Sequence, residues 1–380
     1  MENQYVESRI SRHLHAKCAK AGIPLSGTFE LTPCCNLNCK MCYVRKPIAE
    51  VEAEGGLLSA AKWILLAEKC REKGMLYLLL TGGEPLTHPE FKEIYTAVRN
   101  MGFVVSINSN GTLIDDEMVE FFAANPPARV NMSLYGASRE TYNELCGVPA
   151  AYDRAMHAMK TMREAGIAVK INYSVTRYNC SDMHGIMNAA NENGCNIQVA
   201  SYMFPPLRRD GTQVGTNDRM SPEEDARFFI ESERLRMTED EFTERCRARV
   251  ARSTGTIDEE CMDAPTEHIR CRAGSTAFWV NWNGDISLCG MIPVKSANIC
   301  ETDFEDAWNR VREDTEKIFM PAECTSCGDR EVCMVCAASC YCETGRFGEA
   351  PEYICSRTRA LIAESEKVCK AKEEKRENQS

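Results

Sequence analysis

The chain has 380 residues, 44% of them hydrophobic and 27% charged, with a formal net charge of −11. This composition fits a globular chain of one large domain plus a smaller one, or two. The acidity argues against a nucleic-acid partner, which wants a basic face, and is compatible with a small molecule or a basic peptide.

No apolar run nears the roughly 20 residues that span a bilayer. The charged N-terminus has no apolar core for a secretory signal. No membrane partner and a cytoplasmic location are expected. In a reducing cytoplasm the 22 cysteines are not expected to form structural disulfides. Some serve only as small buried hydrophobes, but such a surplus of thiols points to metal.

Residues 1–23 read as a short amphipathic helix. "SGTFELT" (26–32) alternates like a strand and runs into a cysteine loop. Five more strands are expected at 75–82, 103–110, 128–136, 168–176 and 196–204. Helical patterns lie at 59–74, 89–102, 114–125, 152–166 and 182–194. Regular strand–helix alternation predicts an α/β fold with a parallel sheet and helices outside. Six units are too few for a closed eight-stranded barrel and fit an open one, with the chemistry at the C-terminal strand ends. The core is expected over 24–220 and a charged helical connector over 221–260. A cysteine-rich domain follows over 261–356, with a hairpin turning in "NGD". Residues 357–380 read as a solvated helix and tail.

The cysteine loop, "PCCNLNCKMCYVR" (33–45), contains Cys35, Cys39 and Cys42 in the spacing C-x3-C-x2-C. Three thiolates in one loop can hold three irons of a [4Fe–4S] cube. The fourth iron would stay open, which marks a catalytic rather than a structural site by the logic that separates the two kinds of zinc site. A zinc knot drawing in Cys34 is the alternative. "TGGEP" (81–85) ends the second strand. Gly82 and Gly83 let the backbone approach a partner closely, and Pro85 fixes the exit. A lone "GGEP" is an ordinary turn; following a strand and a C-x3-C-x2-C loop, it carries more.

In these features the sequence resembles the radical SAM superfamily. The match comprises Cys35, Cys39 and Cys42, the aromatic Tyr43, and the "GGEP" run. It also takes in "SNGT" (109–112) and "SLYG" (133–136) after strands three and four. The resemblance implies a partial (β/α)6 TIM-like barrel. It implies a [4Fe–4S] cluster on Cys35, Cys39 and Cys42 whose open iron chelates S-adenosylmethionine (SAM). Reductive cleavage of SAM would give a 5′-deoxyadenosyl radical that abstracts hydrogen from a substrate, with the protein positioning the cofactor and excluding quenchers. Tyr43 would flank the adenine. Gly82, Gly83 and Glu84, with Pro85 behind them, would line the methionine amino group, largely through backbone. Asn110 and Ser133 would make polar contacts to SAM, or simply cap strand ends.

The C-terminal cysteines resemble a SPASM domain, an auxiliary-cluster module of radical SAM enzymes that modify peptides or proteins. Gly284 and Cys289 give G-x4-C; Cys324, Cys327 and Cys333 give C-x2-C-x5-C. Two auxiliary [4Fe–4S] clusters are implied. Cys324, Cys327, Cys333 and Cys355 would hold one. Cys271, Cys289 and one of Cys336 or Cys340 would hold part of the other, with Cys261 a candidate fourth ligand. The family's C-x3-C step is here Cys333-x2-Cys336-x3-Cys340, which leaves that ligand set open. Two zinc sites are the alternative for the module. In the sulfatase-maturing branch an aspartate base follows the G-x4-C cysteine; here Gly290 does, which disfavours formylglycine formation.

The expected function is a radical SAM oxidoreductase acting on a peptide or protein side chain. The alternatives are a small-molecule dehydrogenase or cofactor-biosynthesis enzyme and, more distantly, a non-catalytic zinc or electron-transfer protein. The expected partners are the substrate and a reducing donor such as flavodoxin or ferredoxin. The residues ahead of Ser26 are too few for a fused leader-binding domain, so a separate peptide-recognition protein or direct docking is expected. Cys18, Cys70, Cys146, Cys180, Cys195 and Cys369 read as core or surface thiols. Arg208 and Arg209 read as a solvated connector or as carboxylate ligands.

Overall fold

The computed structural model describes residues 9–210, 218–253 and 271–377. Helix α1 (Arg9–Ala21) leads into strand β1 (Ser26–Glu30). Helices α2 (Ile48–Ala53) and α3 (Ala60–Glu72) lead to β2 (Tyr77–Thr81), and α4 (Phe91–Asn100) leads to β3 (Val104–Ser109). Next come α5 (Asp116–Ala124) and β4 (Arg129–Ser133), then α6 (Arg139–Cys146), α7 (Ala151–Glu164) and β5 (Val169–Ser174). Helix α8 (Met183–Glu192) leads to β6 (Asn196–Ala200). The six strands pair parallel in chain order and the sheet does not close. This is the open α/β barrel expected.

Period-2 alternation sets what faces where. On β5, Val169, Ile171 and Tyr173 are buried in the main core with the helices, while Lys170, Asn172 and Ser174 are half-buried on the opposite, interior face. Each fully buried apolar side chain of this kind contributes about 1.5–3 kcal/mol. The interior is therefore polar, which suits a cavity more than a packed core.

After β6 come α9 (Leu207–Asp210), α10 (Pro222–Arg234) and α11 (Glu239–Ser253). Strands β7 (Ala277–Val280), β8 (Asp285–Ser287) and β9 (Ala297–Asn298) then form an antiparallel meander. β7 lies parallel on β1, with Phe29 opposite Val280, so one nine-stranded sheet runs in the order β6-β5-β4-β3-β2-β1-β7-β8-β9. The sequence boundary between core and cysteine-rich region is thus bridged by hydrogen bonds.

The chain ends in α12 (Phe304–Glu316), α13 (Ala322–Thr325), α14 (Ala337–Thr344) and α15 (Glu352–Glu377). The expectation of a solvated cap at 357–380 is corrected. α15 starts earlier, at Glu352, and packs on α10 and α11, the stretch expected as a connector. Ala226, Ile230, Phe242, Cys246 and Leu361 form a small second core there. Arg357 is buried with Asp225, Nε to Oδ2 at 2.9 Å. Among the described residues no helix is long and apolar enough to cross a membrane.

Candidate active site

The cysteine loop leaves the C-terminal end of β1 and is held from two sides. On one side the turn after β2 binds it through backbone. Gly83 N–H donates to the Thr32 carbonyl at 2.7 Å and Glu84 N–H to the Cys34 carbonyl at 2.9 Å. A Cβ at Gly82 would sit 2.4 Å from the Thr32 oxygen, and one at Gly83 would sit 2.5 Å from the oxygens of Pro33 and Cys34. Only glycine permits that approach. On the other side the C-terminal turn of α6 offers its orphan carbonyls. Asn38 N–H donates to Cys146 O at 3.2 Å and Lys40 N–H to Leu145 O at 3.0 Å.

Cys39 and Cys42 both raise the Cys35 thiol and Cys39 raises that of Cys42, so the three thiols lie within electrostatic reach. Burial pushes the Cys35 thiol up to about 12. Cys39 is pushed well up, first by its hydrogen bond with Cys146 and then by burial, while the Tyr135 hydroxyl opposes. Backbone N–H groups already point at two of the sulfurs: Leu37 N lies 3.4 Å from Cys35 Sγ and Arg45 N lies 3.3 Å from Cys42 Sγ. Buried thiols with N–H donors aimed at sulfur suit thiolates once a metal supplies the positive charge. The donor set fits an iron–sulfur cluster. Among the described residues no three His, Cys, Asp or Glu side chains gather tightly enough for a single ion.

Asn110 reaches the same sulfur. Its Nδ2 lies 3.6 Å from Cys35 Sγ and donates to Asn36 Oδ1 at 3.0 Å. Its Oδ1 accepts from Thr112 N at 2.9 Å and Thr112 Oγ1 at 2.6 Å. Ser133 bonds the Tyr135 hydroxyl beside Cys39. Asn36, Thr112, Tyr135 and Cys146 were not singled out as site residues from sequence. Asn36 and Thr112 carry a signal, being polar residues inside the two motif loops; Cys146 carries none.

Glu84 faces away from the loop's centre. Its buried carboxylate accepts from Asn110 N at 2.7 Å, Leu86 N at 3.3 Å and Ser109 Oγ at 3.0 Å. Burial raises its pKa to about 7 and these donors pull against it. Glu84 therefore braces the turn after β3, and Pro85 is buried behind it as the first residue of a short 3-10 turn.

The reading of Arg208 as part of a solvated connector is corrected. Its guanidinium is nearly buried and grips the fully buried Glu30 at the end of β1 at 2.9 and 2.8 Å. It also donates to Gly290 O at 2.7 Å and Asn281 Oδ1 at 3.2 Å, and Trp279 Nε1 donates to Glu30 at 3.0 Å. Tyr43 lies against Arg208, with Cys42 and Cys289 among its neighbours. Arg209 is exposed but donates to the Cys42 carbonyl at 3.2 Å. Gly290 packs on Trp279 so closely that a Cβ would lie 2.4 Å from the indole.

The C-terminal cysteines form two neighbourhoods. Cys289, pushed up to about 11 by burial, has Cys336 and Cys271 as thiol neighbours. Cys324, also pushed up to about 11 by burial, has Cys333, Cys355 and Cys327. Cys340 lies toward Cys324, Cys336 and Cys333. Cys261 lies outside the described residues.

Residues 29–190 match the Radical SAM superfamily. Over most of its length the chain is similar to the AdoMet-dependent heme synthase of Methanosarcina barkeri, at 28% identity over 88% of this chain and 97% of that protein. It is similar to the sporulation killing factor maturation protein SkfB of Bacillus subtilis, at 28% identity over 81% of this chain and 70% of that one. Its fold is similar to that of Streptococcus suis SuiB, in a structure bound to the precursor peptide SuiA. The TM-score is 0.66 and the identity 21%, over 93% of this chain and 82% of that one. Residues 29–190 thus carry a radical SAM domain, and the chain is an enzyme that works with a [4Fe–4S] cluster and SAM. The non-catalytic alternative is set aside.

Proposed function

We propose, from this radical SAM domain, that the chain is a radical SAM/SPASM oxidoreductase that abstracts hydrogen from a peptide or protein side chain. The carrying observation is the pair of cysteine regions joined through one sheet: the loop after β1, and the C-terminal set on either side of β7, which lies on β1. Cys35, Cys39 and Cys42 would hold the SAM-binding cluster. When bound, cluster and SAM supply a one-electron cleavage and a carbon-centred radical that takes a hydrogen atom.

The chain's own residues do the positioning. The Gly82–Gly83 turn and the end of α6 fix the loop that presents the thiols. Asn36, Asn110 and Thr112 offer amide and hydroxyl groups beside Cys35. Tyr43, against the Arg208 guanidinium, lies near both Cys42 of this site and Cys289 of the C-terminal set. The cysteines Cys324, Cys327, Cys333 and Cys355, and the set around Cys289, would hold two auxiliary clusters. A peptide substrate draws support from SkfB, a maturation protein, and from the fold shared with peptide-bound SuiB.

A second reading, a cofactor-biosynthesis enzyme, is favoured by the heme synthase likeness. The test is to give the reconstituted enzyme SAM, reductant and any short peptide encoded beside it, and to read 5′-deoxyadenosine and peptide mass. Loss of two hydrogens from the peptide supports the first reading. An untouched peptide, with turnover only on a carboxylated tetrapyrrole, supports the second.

A further inference from the structure

We propose that Cys342 is the fourth thiolate of the auxiliary site that includes Cys271, Cys289 and Cys336. This rests on the reading above that the C-terminal cysteines hold clusters. It assigns a ligand outside the spacing pattern that the resemblance implies.

Helix α14 carries three cysteines. Cys336 is its N-cap, with Sγ accepting from Ser339 N at 3.4 Å. Cys340 and Cys342 follow within the helix, and both side chains are fully buried. At 100° per residue, two positions apart places them on nearly opposite faces. The helix is therefore flanked by thiols on both sides. The face with Cys340 has Cys324, Cys336 and Cys333 as thiol neighbours. The face with Cys342 has Cys289 and Cys336, so Cys336 lies within reach of both and Cys289 is the thiol that sets Cys342 apart.

The Cys342 side is built around one turn. Cys342 Sγ lies 3.4 Å from the Met291 carbonyl. Met291 sits in the turn closed by Ile292 N donating to Cys289 O at 3.2 Å. Arg208 pins that turn from its other side through Gly290 O at 2.7 Å. The sulfur thus abuts the segment that presents Cys289, on a helix that starts at Cys336. A buried thiol serving only as a small hydrophobe would sit among apolar side chains. This one faces two other thiols, Cys289 and Cys336, a surrounding that suits thiolates once a metal supplies the positive charge.

The test counts metal in the full chain, reconstituted anaerobically with iron and sulfide. Replacing Cys35, Cys39 and Cys42 by alanine isolates the C-terminal clusters, and that background should retain about eight irons. Iron, acid-labile sulfide and Mössbauer spectra are then compared after adding Cys342→Ala or Ala338→Gly. The expected result is that Cys342→Ala halves the iron or converts one cube to a three-iron cluster. Ala338→Gly, at a buried position of the same helix, weakens that helix without removing a thiol and should keep all of the iron. Full iron and unchanged spectra in Cys342→Ala, or equal loss in Cys342→Ala and Ala338→Gly, would overturn the assignment. A background chain that takes up no iron, with zinc in its place, would sink the cluster reading, and the Cys342 assignment with it.

Discussion

Arg208 and Glu30, 178 residues apart in sequence, meet in a two-pronged ion pair of 2.8 and 2.9 Å at the end of β1. The pair ties the barrel to the cysteine-rich region, because the same guanidinium holds Gly290 and the same carboxylate holds Trp279. Removing one partner strands a buried charge. Glu30→Ala should cost about 3–5 kcal/mol and lower the melting temperature, whereas Glu30→Leu combined with Arg208→Met should recover most of it. An unchanged melting curve for Glu30→Ala would contradict this.

By the C-terminal resemblance, Gly290 stands where an aspartate is expected in the sulfatase-maturing branch. Any side chain there meets the Trp279 indole. Gly290→Asp should cost about 1–3 kcal/mol through overpacking and should not create formylglycine-forming activity. Mass spectrometry of a sulfatase-derived peptide checks the second point, and a differential melting scan the first.

Gly83→Ala probes the seat of the loop. Its Cβ would collide with two backbone oxygens, which cannot move aside as a side chain can. The variant should lose the iron held by Cys35, Cys39 and Cys42 and all SAM cleavage, yet keep the C-terminal iron. Iron counting after reconstitution separates this from global unfolding, which would lose both.

Glu84 should make stability depend on pH. Burial raises its folded pKa from an ordinary 4.5 to about 7. A raised pKa contributes stability that is complete below pH 4.5 and is lost as pH rises through about 7. At 1.36 kcal/mol per unit the swing is about 3 kcal/mol at most. Melting temperatures of the reconstituted, SAM-free protein should therefore fall between pH 5 and 8, and Glu84→Gln should flatten that slope. A slope that survives in Glu84→Gln assigns it to another group.

The open barrel was legible because each parallel strand is a short apolar run followed by a helix of different period. The cysteine loop and the "GGEP" turn were legible because both lie at strand ends and pack on each other. Helix α6 was not. It spans only Arg139–Cys146, and its signals are a Ser138 cap and a terminal Gly147. Missing it hid Cys146, which sits beside Cys39 only because that helix ends against the loop. Arg208 misled for a related reason: "PPLRRDG" looks like a solvated connector until Glu30 arrives from a distant strand. The β1–β7 pairing is equally non-local. Local pattern reports periods and turns, and it carries no record of which distant segments meet.

The most direct test of the whole account is anaerobic reconstitution with iron and sulfide, reduction, addition of SAM, and measurement of 5′-deoxyadenosine alongside iron. The account predicts about twelve irons per chain, with SAM cleavage abolished and about four irons lost when Cys35, Cys39 and Cys42 are all replaced by alanine. Bound zinc with no SAM cleavage, or cleavage that survives that triple replacement, would contradict it.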